Sequence, residues 1–251
     1  LIENDPDATY IAYNTLGNTN SSGMMLRQPF DDSVYALESI VRKTKNGDFT
    51  IPYEENGELM RSRPSRVVVI GHSYGGLQVA ELLMRYDENH ALRETFEAVL
   101  ISPMFKSTNP ASNIPRLFLS LAKAWSEIVP TVTIVPTTPY TQISRNHTVE
   151  DITRESMQRS ELSSRLVTTS SLYDLLINGT NFRKSDRKRV GKRPMTIFFG
   201  TEDNTADISV FSDTAFMERF GVTNIFSLKG ARHSPHEDST FVASIAAHIA
   251  L

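Results

Sequence analysis

The sequence contains no cysteine among its 251 residues. Disulfides, thiolate metal sites and a cysteine nucleophile are therefore excluded, while the compartment stays open, because a secreted protein need not use cysteine. No apolar run approaches the roughly 18 residues that a membrane-spanning helix requires, so a soluble or peripheral protein is expected. No charged-then-apolar signal segment opens the chain. Charge of one sign is also lacking. Lys and Arg number 26 against 29 Asp and Glu, a formal net charge of −3, and no long basic stripe is interleaved with aromatics. Nothing here suggests a nucleic-acid partner. Internal repeats and low-complexity segments are missing as well.

What is present is ordinary globular composition, 39% hydrophobic and 22% charged, enough for one sizeable core. Short apolar runs recur, each followed by turn residues: Tyr10–Tyr13, Val67–Ile70 ending at Gly71, Ala98–Ile101 ending at Ser102-Pro103, Met195–Phe199 ending at Gly200, and Asn224–Leu228 before Gly230. Apolar runs without alternation suit central strands of a parallel sheet buried on both faces. Helical stripes lie between them. Asp31 or Asp32 is expected to cap a helix bearing Val34, Leu37, Ile40 and Val41. Leu77, Ala80, Leu83 and Met84 form a second stripe, and Phe241, Ile245 and Ile249 a third. Strand and helix alternating in this order predict an α/β fold with a mostly parallel central sheet flanked by helices.

Residues 104–193 break the rhythm. They are rich in Ser, Thr, Asn and Pro, with helical pieces expected around Leu117–Trp125 and Val149–Arg165. Lying between two strands, they are read as a lid inserted into a core formed by 1–103 and 194–251. The end of the lid is basic, with Arg183, Lys184, Arg187, Lys188, Arg189, Lys192 and Arg193. That run is either a solvated loop or a contact for anionic lipid headgroups. Three N-x-Ser/Thr triplets, at Asn20, Asn146 and Asn178, are no more than this Ser and Thr content would produce by chance.

The chemistry concentrates at Gly71-His72-Ser73-Tyr74-Gly75, followed by Gly76. This G-x-S-x-G follows a β-branched strand and opens an amphipathic helix, the setting a nucleophile elbow requires. The turn would force Ser73 into a strained conformation with its side chain above the sheet, Gly71 and Gly75 removing side chains that would collide. The N–H of Tyr74, at the positive end of the helix, would face a developing oxyanion. A serine hydroxyl needs a base, and six histidines are available. His72 lies inside the elbow and is assigned a structural role; His90, His147 and His248 have uninformative surroundings. His233 and His236 follow the last strand, where a loop reaches the carboxyl edge of the sheet. His233 is favoured, with His236 as the alternative. For the carboxylate that orients the base, Asp203 in Gly200-Thr-Glu-Asp203 is chosen over Glu202 and Asp207. Ser73, Asp203 and His233 then run in the chain order Ser…Asp…His of α/β hydrolases. No metal or organic cofactor is called for.

These stretches resemble the lysophospholipase and monoacylglycerol lipase group of α/β hydrolases, grouped with the serine aminopeptidases. Val67–Gly76 is similar to the family's strand and G-H-S-x-G-G elbow, Phe199–Asp207 to its acid segment, and Gly230–Glu237 to its G-A-x-H segment. Within the lid, Ser102-Pro103-Met104-Phe105 and Arg145-Asn146-His147-Thr148 leading to Arg154 resemble bacterial lysophospholipases. The resemblance implies an ester hydrolase acting on a lysophospholipid or monoacylglycerol: Ser73 attacks, His233 moves the proton, Asp203 orients it, and water deacylates the enzyme. It also implies two alternatives, an aminopeptidase using an acidic pocket drawn from Glu127, Glu150, Asp151 and Glu155, and a non-catalytic lipid-binding protein on the same fold. The chain departs from the family at Asn14, where an Asp is usual. It also begins after the point where a His-Gly loop would supply the second oxyanion donor, which is worth roughly 3–4 kcal/mol in the transition state. The expectation is that this sequence is a fragment.

Overall fold

The computed structural model describes residues 11, 30–47, 53–55, 58–60, 64–88, 96–108, 118, 120, 121, 124, 125, 128, 133–136, 166–188 and 194–249. Four parallel strands form its centre: β3 (Val68–His72), β4 (Glu97–Ile101), β7 (Met195–Gly200) and β8 (Asn224–Leu228), side by side in that order. In β4 and β7 both faces are covered, whereas β3 leaves Ile70 exposed and β8 leaves Asn224, Ile225 and Ser227 exposed. Along β4, Ala98 and Leu100 join one apolar cluster while Val99 and Ile101 join the other. Along β7, Ile197 and Phe198 divide in the same way. This is the period-two alternation of a pleated strand, with apolar side chains on both sides.

Helices α1 (Phe30–Asn46) and α2 (Tyr74–Glu88) cover one face. The α1 stripe packs inward, with Val34, Leu37 and Val41 buried. Asp31 and Asp32 do not cap this helix. It begins at Phe30, so both lie within its first turn, where their charge still meets the positive helix end. In α2, Leu77, Ala80, Leu83 and Met84 are all buried. Helices α3 (Thr169–Lys184) and α4 (Thr214–Phe220) extend this layer through Phe182, Phe216 and Phe220, which surround Phe105 with ring centroids at 5.3–5.5 Å. Helix α5 (Ser239–Ile249) covers the opposite face with a fully buried Ile245. The described core is thus a three-layer α/β/α arrangement around the four-stranded sheet.

Two small antiparallel pairs complete the described structure: β1 (Tyr53–Glu55) with β2 (Glu58–Met60), and β5 (Thr133–Pro136) with β6 (Leu166–Thr168). Neither these pairs nor α3 were expected from the sequence. Strands of three or four residues carry too little pattern, and the polar opening of α3 and its Gly179 hide its period. Within the expected lid, Phe118, Leu121, Trp125 and Ile128 are helical and 56–75% exposed. The stretches around Tyr10–Tyr13, except Ile11, and Val149–Arg165 lie outside the described residues, as do Asn14, Asn20, Asn146, Arg154, Arg189, Lys192 and Arg193. Among the described residues, no helix is long and apolar enough to cross a membrane.

Candidate active site

All four central strands end at one edge of the sheet, and the loops beyond them carry Ser73, Ser102, Asp203 and His233. Ser73 separates β3 from α2 with φ of 54°, in the left-handed region that costs a residue with a side chain of order 1 kcal/mol or more. Its backbone is fixed on both sides. The Ser73 N–H donates to the Ile101 carbonyl (2.9 Å), and its own carbonyl accepts from the N–H groups of Met104 (3.0 Å) and Leu77 (3.3 Å). The glycines around it have unequal roles. A Cβ on Gly71 would stand 2.5 Å from the Gly75 carbonyl oxygen, and one on Gly76 would stand 2.9 Å from Pro103 Cβ. A Cβ on Gly75 would meet nothing within 4 Å. The tight crossing is therefore made by Gly71 and Gly76, and the expected collision at Gly75 does not occur.

Above the elbow, Ser73 Oγ is 2.8 Å from His233 Nε2, and His233 Nδ1 is 2.8 Å from Asp203 Oδ2. His233 and Asp203 are both buried. The other carboxylate oxygen, Oδ1, accepts the N–H groups of Thr205 (2.8 Å) and Ala206 (2.9 Å). Asp203 thus divides its two oxygens, one holding its own loop and one facing the imidazole. That loop is tied in turn to the segment after β4: Asp207 N–H donates to the Lys106 carbonyl (2.8 Å), Thr108 N–H to the Thr205 carbonyl (3.0 Å), and Lys106 Nζ pairs with the Asp207 carboxylate. Burial opposes the charge on Asp207, but Lys106 and the Ser209 N–H outweigh it and hold the carboxyl below its usual range. Gly200 permits the approach of the histidine loop, since a Cβ there would lie 2.2 Å from the Ala231 carbonyl oxygen.

The alternatives fall elsewhere. Glu202 is exposed, and Asp207 caps the 3₁₀ turn at Ser209. His236 packs against His72 with ring centroids at 4.4 Å and the planes tilted by 54°. His248 is exposed on α5 beside Phe226. His90 and His147 lie outside the described residues, as do Glu127, Glu150, Asp151 and Glu155. Tyr74 is the first residue of α2. Its hydroxyl accepts from Asn178 Nδ2 (3.2 Å) on α3, and burial raises its pKa. Asn178 thus faces inward, which argues against a glycan there. Its tie to the elbow left no signal in the sequence. Nor did the strain at Ser102, which is fully buried with φ of 44° and whose hydroxyl has no partner among the described residues. Among the described residues, no group of three or more His, Asp or Glu side chains could hold a metal.

Within the described part of the basic segment, Arg187 is paired inside the chain. Arg187 Nη1 pairs with Glu81 (2.9 Å), which also accepts from Arg85 Nε (2.9 Å), and the Arg183 carbonyl accepts from Arg219. Lys184 and Lys188 are exposed.

A sequence model of the family described as "Serine aminopeptidase, S33" matches residues 53–240. No curated protein matches the chain. Among solved structures, it is similar to the monoacylglycerol lipase of Paleococcus ferrophilus, with 19% identity over 93% of this chain and 78% of that one and a TM-score of 0.61. It is also similar to a soluble variant of the monoglyceride lipase of Saccharomyces cerevisiae, with 15% identity over 94% and 73% of the two chains and a TM-score of 0.62. A carboxyl esterase of Bacillus coagulans is 13% identical over 89% and 71%, with a TM-score of 0.56. At such identities the likeness establishes a shared fold, the α/β-hydrolase fold.

Proposed function

We propose that this chain, which belongs to the serine aminopeptidase S33 family of α/β hydrolases, is a serine ester hydrolase that cleaves an acyl ester of a monoacylglycerol or lysophospholipid through an acyl-enzyme on Ser73. The observation that carries the reading is the unbroken line from Ser73 Oγ through both nitrogens of His233 to Asp203, each step 2.8 Å. In this reading the buried Asp203 carboxylate accepts Nδ1–H and keeps Nε2 free to take the hydroxyl proton of Ser73. Ser73 Oγ attacks the ester carbonyl, and the charge that develops on its oxygen meets the Tyr74 N–H at the head of α2. His233 then delivers the proton to the departing glycerol oxygen. Water, deprotonated by the same imidazole, hydrolyses the acyl-enzyme and restores Ser73. No metal or cofactor takes part.

The lipid character of the substrate is supported by the lipases among the structures of similar fold and by the exposed apolar side chains of Phe118, Leu121, Trp125 and Ile128. We take residues 104–193 as the lid, with those side chains and the exposed Lys184 and Lys188 meeting a lipid surface. The family's description favours a second reading, a serine peptidase acting on a free amino terminus. Release of fatty acid from 1-monooleoylglycerol and lysophosphatidylcholine, measured beside cleavage of an aminoacyl p-nitroanilide, separates the two. The proposal expects turnover of at least one lipid, loss of that turnover in Ser73→Ala, and no cleavage of the anilide. Anilide cleavage without lipid turnover would replace it by the peptidase reading.

A further inference from the structure

The sequence places a histidine directly before the nucleophile, where it cannot reach a substrate above Ser73, and a purely structural part was expected of it. Its surroundings say more. His72 is largely buried between two other imidazoles, 4.9 Å from the His233 ring and 4.4 Å from the His236 ring. Its Nε2 lies 2.9 Å from the backbone carbonyl oxygen of His233, with Ser234 Oγ at 3.4 Å. A carbonyl only accepts, so Nε2 must carry the hydrogen.

We propose that His72 is a positioning residue for the base: its Nε2–H clamps the backbone carbonyl of His233 and so fixes the imidazole between Ser73 and Asp203. The inference rests on the reading of His233 as the base. Two further observations support it. First, the clamp joins consecutive functional positions, because His72 is covalently next to Ser73 while its hydrogen bond lands on His233 itself. Any drift of the histidine loop relative to the elbow must break this bond. Second, the donor stays neutral. Burial, then the neighbouring His236 and His233, push its pKa down to about 3, outweighing the hydrogen bond to the His233 carbonyl. The titratable groups around His72 are His233, with Asp203 beyond it, and His236, with Glu237 beside it. When His233 takes the serine proton, the imidazole 4.9 Å away adds no repulsion. His236 fills the far side of His72, and its buried Nδ1 has no partner among the described residues.

The test compares His72→Phe, which keeps a ring and loses the donor, with His72→Gln, whose side-chain amide can donate to the same carbonyl. Steady-state hydrolysis of p-nitrophenyl butyrate, its pH profile and the thermal midpoint are measured for each. Misplacement of the base predicts a fall in kcat of about tenfold or more for His72→Phe, with KM within about twofold, and substantial recovery in His72→Gln. Equal kcat in His72→Phe and wild type overturns the inference, as does a His72→Gln variant that is folded yet as slow as His72→Phe. If His72→Phe does not fold, His72→Met takes its place against His72→Gln. A fluorophosphonate probe on the wild type keeps two failures apart. Absence of both labelling and turnover removes the serine-hydrolase reading itself, whereas a labelled, active wild type with an unaffected His72→Phe removes only the role of His72.

Discussion

Asp203→Asn is the most informative single change, because the carboxylate has two separable tasks. Oδ1 accepts the Thr205 and Ala206 N–H groups and Oδ2 faces His233 Nδ1. An asparagine keeps the first task, since its carbonyl oxygen can take the place of Oδ1. The opposite rotamer would aim an NH₂ group at two backbone donors and is excluded. The amide nitrogen must then occupy the place of Oδ2 and donate to Nδ1. That moves the imidazole hydrogen to Nε2, where it points at Ser73 and can no longer accept the hydroxyl proton. The same inversion in a Ser-His-Asp protease lowers kcat by on the order of 10⁴, and a loss of similar size is expected here, with stability changed by less than ~1 kcal/mol. Asp203→Ala differs. It deserts two backbone N–H groups, that of Ala206 in a buried setting, at a cost of about 1–3 kcal/mol each. Ester hydrolysis and urea unfolding of both variants give the comparison. An Asp203→Asn protein retaining more than about a tenth of wild-type kcat would refute the tautomer argument.

Other consequences follow from the same geometry. Gly71→Ala should cost about 1–3 kcal/mol in urea unfolding, since its Cβ meets the Gly75 carbonyl oxygen and Val79, whereas Gly75→Ala should stay within ~1 kcal/mol of wild type. The depressed pKa of His72 makes stability depend on pH: the unfolded chain binds a proton near pH 6.5 that the folded one refuses down to about pH 3. Stability is therefore full above about pH 6.5 and falls through that window by roughly 3–5 kcal/mol. His236 is shifted in the same direction. Urea titrations at several pH values should show this slope flattened in His72→Gln. Glu81→Ala removes the acceptor shared by Arg85 and Arg187 and should cost about 1–2 kcal/mol, a figure held down by the partial exposure of both arginines.

The sequence-based reading and the structure agree where physics leaves one solution. Glu97–Ile101 and Met195–Gly200 are covered on both faces, so their apolar runs were visible without any partner in view, and Val68–His72 carries the same pattern although its Ile70 is exposed. The strand-turn-helix at Ser73 was legible because a G-x-S-x-G between a β-branched run and an amphipathic stripe admits few conformations. The loops that meet over it were less so. Choosing Asp203 among three acids and His233 over His236 needed chain order and resemblance, because the distances linking them span 30 and 160 residues. Contacts such as Asn178 on Tyr74 or Lys106 on Asp207 join separate segments through single side chains, and periodicity carries no trace of them. Asp31 and Asp32 show the limit at helix ends, where a residue or two of shift turns an expected cap into a first-turn charge.

The central claim is that Ser73 is a nucleophile made reactive by His233. It is tested most directly by treating the folded protein with a fluorophosphonate and locating the adduct by peptide mass mapping. The account predicts one modified serine, Ser73, with labelling abolished in Ser73→Ala and strongly slowed in His233→Ala. An adduct confined to another serine, or ester hydrolysis that persists in Ser73→Ala, would contradict it.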